Sequence, residues 1–541
     1  MVESGLGMST EESPPDYIIV GAGSAGAALA YRLTEDPRTT VLLVEAGKPA
    51  HPYARMPASF GLFIDRPGVN WRYRSEPEAG TANRAIPVPR GKMLGGSSSL
   101  NGLVYVRGQT LDYDTWAQRG NRGWGWDDVA KIFHRMEGYE NGDGELRGTD
   151  GPLGITEVPG HIPLYDGLFA AADSIGLRRN PDYNGPDQEG IAKIQATIKG
   201  GRRMSTAECY LRPAMRRRNL QVVTEAMTRH LILDGKRCVG IAYQKGDKIV
   251  EVRCSREVIL SAGAVASPQI LELSGIGRPD VLQAHGIAVN HALSGIGENF
   301  QDHMLSRLQW KLKDPDASYN TKARGINFVG QVIKYALTGR GFLSLPAACM
   351  GAWVKTRPEL ATPDVQIQFI PYSVGDLKRR KVHPYPGMAA AVFQLRPESI
   401  GSIHIRSSDP FDHPSIRFNF LDTPVDRQAM VDGVKIVREI VEAKPMDRYR
   451  GEEISPGKAV SGDAAIETFI RENSETGFHP MGTCRMGPGP EAVVDDHLRV
   501  HGLSGLRIAD ASIFPTMPSG NTNAPAIMVG EKAADLIKAP G

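Results

Sequence analysis

The stretch YIIVGAGSAGAALAYRLTEDPRTTVLLVEAG, Tyr17 to Gly47, decides the fold. Tyr17 to Val20 reads as a buried strand, GAGSAG follows at Gly21 to Gly26, Ala25 to Leu33 continues as an Ala/Leu helix, and Thr39 to Val44 supplies a second apolar strand. That order is a βαβ unit with a dinucleotide fingerprint at its first turn. Gly21 makes the tight turn, Gly23 lets backbone approach a pyrophosphate, and Gly26 allows close helix packing. Ser24 and Ala25 open a helix whose free N–H groups face the anion. Glu45, at the tip of the second strand and followed by Ala46, stands where a ribose diol needs an acceptor, and it would repel the additional phosphate of NADP. The fingerprint alone leaves NAD and FAD open.

Longer stretches make that choice. RGKMLGGSSSLNGLVYVRG, Arg90 to Gly108, resembles the first signature of the glucose-methanol-choline (GMC) flavin oxidoreductases, and GAVASPQILELSGIG, Gly263 to Gly277, resembles their second. The resemblance continues through FHPMGTCRMG at Phe478 to Gly487, LRIADASIFP at Leu506 to Pro515, and SGNTNAPAIMVGEKAADLI at Ser519 to Ile537; 319–381 is its least diagnostic part. It implies FAD. It also implies cofactor contacts from Arg90, Met93, Gly95, Gly96, Asn101, Gly102, Leu103 and Val104, from Met227, Ala262 and Gly263, and from Asn523 and Pro525. Asp510 and Ala511 resemble family residues near the pyrophosphate and ribityl chain, and Trp71 of NWRYRSEPE is expected beside the cofactor or in the core. Relatives with covalent flavin carry a histidine immediately before the loop asparagine. This chain has Leu100 before Asn101, so FAD is expected to bind non-covalently.

Alcohol oxidation removes a hydride from carbon while the hydroxyl proton leaves, and this requires a positioned base with a pKa near neutrality. By resemblance His479 is that base, with Asn523 beside it donating an amide hydrogen bond to the substrate oxygen. Asn521 is the alternative; the register against the following Ala-Pro favours Asn523. Without that resemblance, a histidine next to Pro480 reads as a loop residue satisfied by backbone. The expected reaction is oxidation of a primary alcohol to an aldehyde, by a dehydrogenase using a quinone or dye in preference to an oxidase using O2. Cys349, Met350 and Trp353 of PAACMGAWVK, with Phe478, are the candidate substrate pocket. Cys349 falls where choline-using relatives place a glutamate, which argues for a neutral, partly apolar alcohol; packing residues are the bland alternative. A non-redox lyase, a light-driven fatty-acid decarboxylase and a non-catalytic flavin-binding protein are the competing readings.

Composition sets limits. The 541 residues amount to several domains' worth of chain, and a formal charge of +2 gives no electrostatic case for nucleic acid. The clusters Arg216 to Arg218 and Lys378 to Lys381 read as solvated faces or an anion-binding rim. Five scattered cysteines without CxxC spacing point to neither a disulfide framework nor a zinc site. The first 15 residues lack the basic and apolar regions of a signal peptide and read as a flexible tail, and no apolar run reaches membrane-spanning length. A cytoplasmic protein is expected. Fold class is α/β with α+β, a Rossmann-like FAD-binding domain (16–155, 200–305, 475–541) interleaved with an antiparallel-sheet substrate-binding domain (156–199, 306–474). The alternating stretches VQIQFIPYS, MAAAVFQLRP, GSIHIRS and SIRFNFL supply the second sheet, and Asp426 to Glu442 has helical periodicity.

Overall fold

In the computed structural model residues 13–376 and 381–539 are described; most of the expected tail and Lys378 to Arg380 of the basic cluster lie outside them. Tyr17–Val20 lies at the centre of a parallel sheet ordered Leu220–Val223, Val41–Val44, Tyr17–Val20, Glu257–Leu260, Leu506–Ile508. Tyr17–Val20 and Val41–Val44 are buried at every position. Continuous apolar runs without alternation belong in a parallel sheet covered on both faces. Ser24–Leu33 covers one face, and its alanines let a second helix, Asn523–Lys538, approach so closely that a Cβ on Gly530 would lie 2.2 Å from the Ala25 carbonyl oxygen.

The stretch after Asn219 splits into two kinds of strand. Leu220–Val223 joins the parallel sheet, while Met227–Asp234, Arg237–Lys245 and Lys248–Arg253 form an antiparallel meander. A larger antiparallel sheet runs in the order Arg450–Ser455, Met304–Leu312, Gly387–Gln394, Val365–Ile370, Met350–Val354, Gly190–Lys193. Pro424–Glu442 has the expected helical form, starts at a Thr423 cap, and lays Gly433 against Val392 and Val365 of that sheet. Buried apolar side chains gather into two large clusters, one about each sheet.

Two expectations need correction. Ser402–His404 and Ser415–Arg417 pair with each other as a separate ribbon, because the Pro410-containing connection folds them into a local hairpin. Val365–Ile370 alternates in sequence yet is buried at every position. Its polar residues, Gln366 and Gln368, both donate to Asn521 and not to solvent, and Gln368 lines a cavity between the two sheets. Among the described residues no helix is long and apolar enough to cross a membrane.

Candidate active site

The cavity has a volume of about 800 Å³ and lies where the ends of the parallel strands face the antiparallel sheet, the usual ligand position of open α/β sheets. One end is the dinucleotide turn: Gly21, Gly23, Ser24, Ala25, Glu45 and Ala46 are on its wall. No side chain caps the Ser24–Leu33 helix, and a Cβ on Gly23 would meet nothing nearer than Ser261 O at 3.9 Å. An open backbone and a free helix N-terminus fit a pyrophosphate. The Glu45 carboxylate accepts from the N–H groups of Ala22 at 3.0 Å and Gly47 at 2.8 Å. Burial raises it to about 7, against the pull of those donors and of Lys92. The residues present fit FAD.

The loop of the first signature folds onto this turn. Gly95 N donates to Ala22 O at 2.8 Å, and a Cβ on Gly96, at φ 50°, would lie 2.7 Å from Gly23 Cα. Only glycine permits that approach. Buried Arg203 ties the far side, donating to the carbonyls of Ser98, Asn101 and Pro57 and to Asn101 Oδ1. Arg90, Gly96, Asn101, Gly102, Leu103, Val104, Met227, Ala262, Gly263, Asp510, Ala511 and Trp71 all reach the wall. Trp71 stacks on Tyr73 with centroids 5.6 Å apart. The Asp510 carboxylate takes the Gly263 N–H and Ser267 hydroxyl, so it holds the Gly263–Leu273 helix start beside the cavity.

Four expected contacts are off the wall. Gly26 serves packing, since a Cβ there would lie 2.0 Å from Gly21 O. Gly95 is occupied by its bond to the turn, Met93 is buried in a small apolar cluster with Phe63 and Val69, and Pro525 is buried in the first turn of its helix.

Histidine chemistry is concentrated at the other end. His479 Nδ1 is 2.8 Å from His303 Nδ1, and His303 Nε2 is 3.1 Å from the Leu395 carbonyl oxygen. A carbonyl only accepts, so His303 carries its proton on Nε2. Burial holds His303 down at about 4, so it is neutral and its Nδ1 accepts. His479 therefore donates from Nδ1. Burial, then the nearby His303 and Arg90, keeps His479 well below 6.5, so its Nε2 bears a lone pair. That atom lies 2.9 Å from Asn521 Nδ2. Asn521 Oδ1 accepts from Gln366 and Gln368, both at 3.4 Å, which turns the amide nitrogen toward His479.

The loop holding His479 is constrained. Phe478 has φ 68°, rare for a bulky residue. Arg90 Nη2 donates to its carbonyl, Thr476 Oγ1 accepts from its N–H, and Asp302 accepts from the His479 N–H at 2.9 Å. Burial lifts the Asp302 carboxyl to about 7 and draws Arg90 down to about 10.

Two predicted roles are corrected. Asn523 is not beside His479: it begins the C-terminal helix, where its Oδ1 accepts from Ser24 Oγ at 2.8 Å, and the helix path leaves Asn521 facing the base. Cys349, Met350 and Trp353 are buried in the sheet, Trp353 stacked on Tyr183 at 4.0 Å, and none reaches the cavity. The strand Met350–Val354 is buried on both faces, so Cys349 and its neighbours pack in the core whichever way they point. Phe478 does line the cavity. Sequence reasoning missed His303, Asp302, Gln366 and Gln368. The one visible signal was polar residues inside otherwise apolar strands.

The family models for GMC oxidoreductases match residues 15–305 and 397–530, and the chain belongs to the GMC oxidoreductase family. It is 42% identical over 537 residues to the "Oxygen-dependent choline dehydrogenase" of Escherichia coli O17:K52:H18 (strain UMN026 / ExPEC), covering 97% of this chain and 95% of that protein. Pyridoxine 4-oxidase from Mesorbium loti superposes with TM-score 0.87 at 31% identity, over 96% of this chain and 98% of that one. A formate oxidase superposes with TM-score 0.90 at 26% identity, over 97% and 99%. The protein is an FAD-dependent oxidoreductase of this family acting on CH–OH groups.

Asn521→Ala is expected to lower kcat about tenfold or more, by removing the amide at the base. Asn523→Ala should act mainly on FAD retention through Ser24. Steady-state kinetics and FAD titration of both variants check this; a larger kcat loss in Asn523→Ala would reverse the assignment.

Proposed function

We propose that the protein oxidises a primary alcohol to its aldehyde with His479 Nε2 as general base, as a dehydrogenase passing electrons to a quinone or dye in preference to O2. The observation that carries this reading is the Leu395–His303–His479 chain, which leaves the lone pair on the nitrogen facing Asn521 and the cavity. A substrate hydroxyl entering between the two side chains donates its proton to Nε2 and accepts from the Asn521 amide, which fixes the oxygen as the proton leaves. FAD, when bound, supplies the two-electron oxidant for the carbon. Gly23, the Ser24 helix start and Glu45 would hold its dinucleotide part, and the Gly96–Val104 loop would hold the flavin part. Burial of His479 limits the access of bulk water to it.

The wall near His479 supports a neutral, partly apolar substrate. Phe393 lies 6.2 Å from the His479 ring, and Leu305, Phe342, Ile370, Tyr372 and Phe478 continue the surface. Among the described lining residues the carboxylates are Glu45, Glu475 and Asp510. Glu45 and Asp510 are engaged by protein donors, and Glu475 lies 3.7 Å from Arg307. Choline is the second reading, favoured by the names of the relatives and by an aromatic wall that suits a quaternary ammonium. Residue 349 no longer argues against it, because Cys349 is off the wall. The 42% relative is named an oxygen-dependent choline dehydrogenase and the neighbours at 31% and 26% are named oxidases, so these names favour no acceptor over O2 and the rate of reoxidation decides between them.

Anaerobic mixing with primary alcohols, choline and benzylic members included, is expected to bleach the flavin band, and the reduced flavin should recover slowly in air and quickly with a quinone or dye. Rapid recovery in air makes the protein an oxidase; no bleaching by any member favours a lyase, a decarboxylase or a non-catalytic protein.

His479→Ala is expected to lower kcat by about 10²-fold or more with FAD retained. Because the folded imidazole is depressed, the base is competent above that value and is lost only as pH falls through it. The plateau of kcat/KM should therefore extend below pH 6.5, the value of a free imidazole. A decline that sets in above 6.5 contradicts the assignment.

Non-covalent FAD is supported by buried Leu100 in the flavin loop and by His479 being the one histidine among the described lining residues. Acid precipitation should leave the yellow flavin in the supernatant. Flavin that stays with the pellet after washing indicates a covalent bond.

A further inference from the structure

The helix Gly325–Thr338 inverts the usual pattern of a surface helix: none of its residues is buried, and its solvent-facing stripe is apolar. Ile326 is 82% exposed, Val329 48%, Ile333 55% and Leu337 80%, at spacings of three and four that place them on one face. Its other face holds to the protein, with Phe328 on the cavity wall and Tyr335 Oη donating to the Gly201 carbonyl at 3.1 Å. A contiguous exposed patch of this kind marks an interaction surface.

Charge identifies the partner. No acidic residue occurs between Asp316 and Glu359, while Lys322, Arg324, Lys334 and Arg340 fall in or beside the helix. The hairpin that receives Tyr335 adds exposed Lys199 and Arg202. An apolar stripe inside a basic surround fits an anionic lipid headgroup layer with acyl chains beneath it. A second copy of this chain fits poorly, because a two-fold contact through the stripe sets Lys334 and Arg340 against their own copies.

We infer that Gly325–Thr338 is an interfacial helix that docks the protein on an anionic membrane surface, lying on the bilayer without crossing it. Ala323, Arg324, Gly325 and Phe328 belong to the cavity wall, so docking turns this part of the cavity toward the lipid, where apolar alcohols partition. The inference concerns binding alone and does not depend on which alcohol is oxidised.

The test is co-sedimentation of the FAD-loaded full chain with vesicles of phosphatidylcholine, or of phosphatidylcholine mixed equally with phosphatidylglycerol. Binding to the anionic vesicles, weakened by salt and absent from the neutral ones, is expected. The triple variant I326S/I333S/L337S should bind about tenfold more weakly or worse, and so should K334E/R340E, both with the flavin spectrum and dye-coupled turnover of the parent. None of these side chains lines the cavity, and their exposure leaves the fold intact. Parent protein remaining in the supernatant, or equal binding by the triple variant, overturns the inference. So does a dimer in size-exclusion chromatography that the triple variant converts to monomer, which assigns the face to a second copy.

Discussion

The contact between the Ser24–Leu33 and Asn523–Lys538 helices is the constraint on which the remainder depends. With only a hydrogen on Gly530, the later helix settles against the Ala25 carbonyl, and no larger residue fits that spacing. A fully buried Glu531 pins it, 2.7 Å from Arg32 and 2.9 Å from Arg135. Removing one partner of such a buried pair costs on the order of 3–5 kcal/mol, because an uncompensated charge remains. At the helix start, Ser24 bonds to Asn523. The helix whose start would receive the pyrophosphate is therefore the helix that sets the approach of Asn521 to His479. The proposed cofactor cradle and the Asn521 amide share one packing surface, although some 500 residues of chain separate them.

A second layer of control concerns which nitrogen of His479 carries the proton. Position alone leaves both tautomers open. The Leu395 carbonyl decides the matter two links away, by forcing the proton of His303 onto Nε2 and so the proton of His479 onto Nδ1. The strained Phe478 backbone costs about 1–3 kcal/mol, offset by Arg90, Thr476 and Asp302, which between them bind the Phe478 carbonyl, the Phe478 N–H and the His479 N–H. Strain held by surrounding donors and acceptors is how a loop residue becomes a rigid one.

Local physics was legible in the sequence wherever it was short-range. The βαβ unit could be read from Tyr17 to Glu45 because turn, helix start and strand are each specified within a few residues. His479 could be singled out because Phe478 to Gly487 carries a long family pattern. The Asn521/Asn523 choice failed for a different reason: the two differ by two residues at a helix start, and the angle at which that helix meets the sheet is a tertiary quantity. Cys349 to Trp353 failed on strand facing. The stretch was placed by register against relatives, but burial is set by Tyr183 and Tyr165 from remote segments. The alternation of Val365–Ile370 was visible and misleading, because its polar face serves the cavity and not water. Arg203 gave no signal, since a buried guanidinium among loop carbonyls has no local pattern.

For the proposed base role, the depressed pKa of His479 raises the question of how it would accept a proton during turnover. The buried site disfavours an imidazolium in the resting protein, where burial, His303 and Arg90 act together. Asp302, one backbone bond away, titrates near 7 and is held by hydrogen-bond donors from Thr476 and from His479 itself, which favour its ionised form. A positive charge forming on the imidazole favours ionisation of the Asp302 carboxyl, and an ionised carboxylate favours that charge. His303 contributes an Nδ1 lone pair to the same imidazolium without itself charging, because its own burial holds it near 4. The resting His479 imidazole is thus neutral, with its Nε2 lone pair free to take a proton.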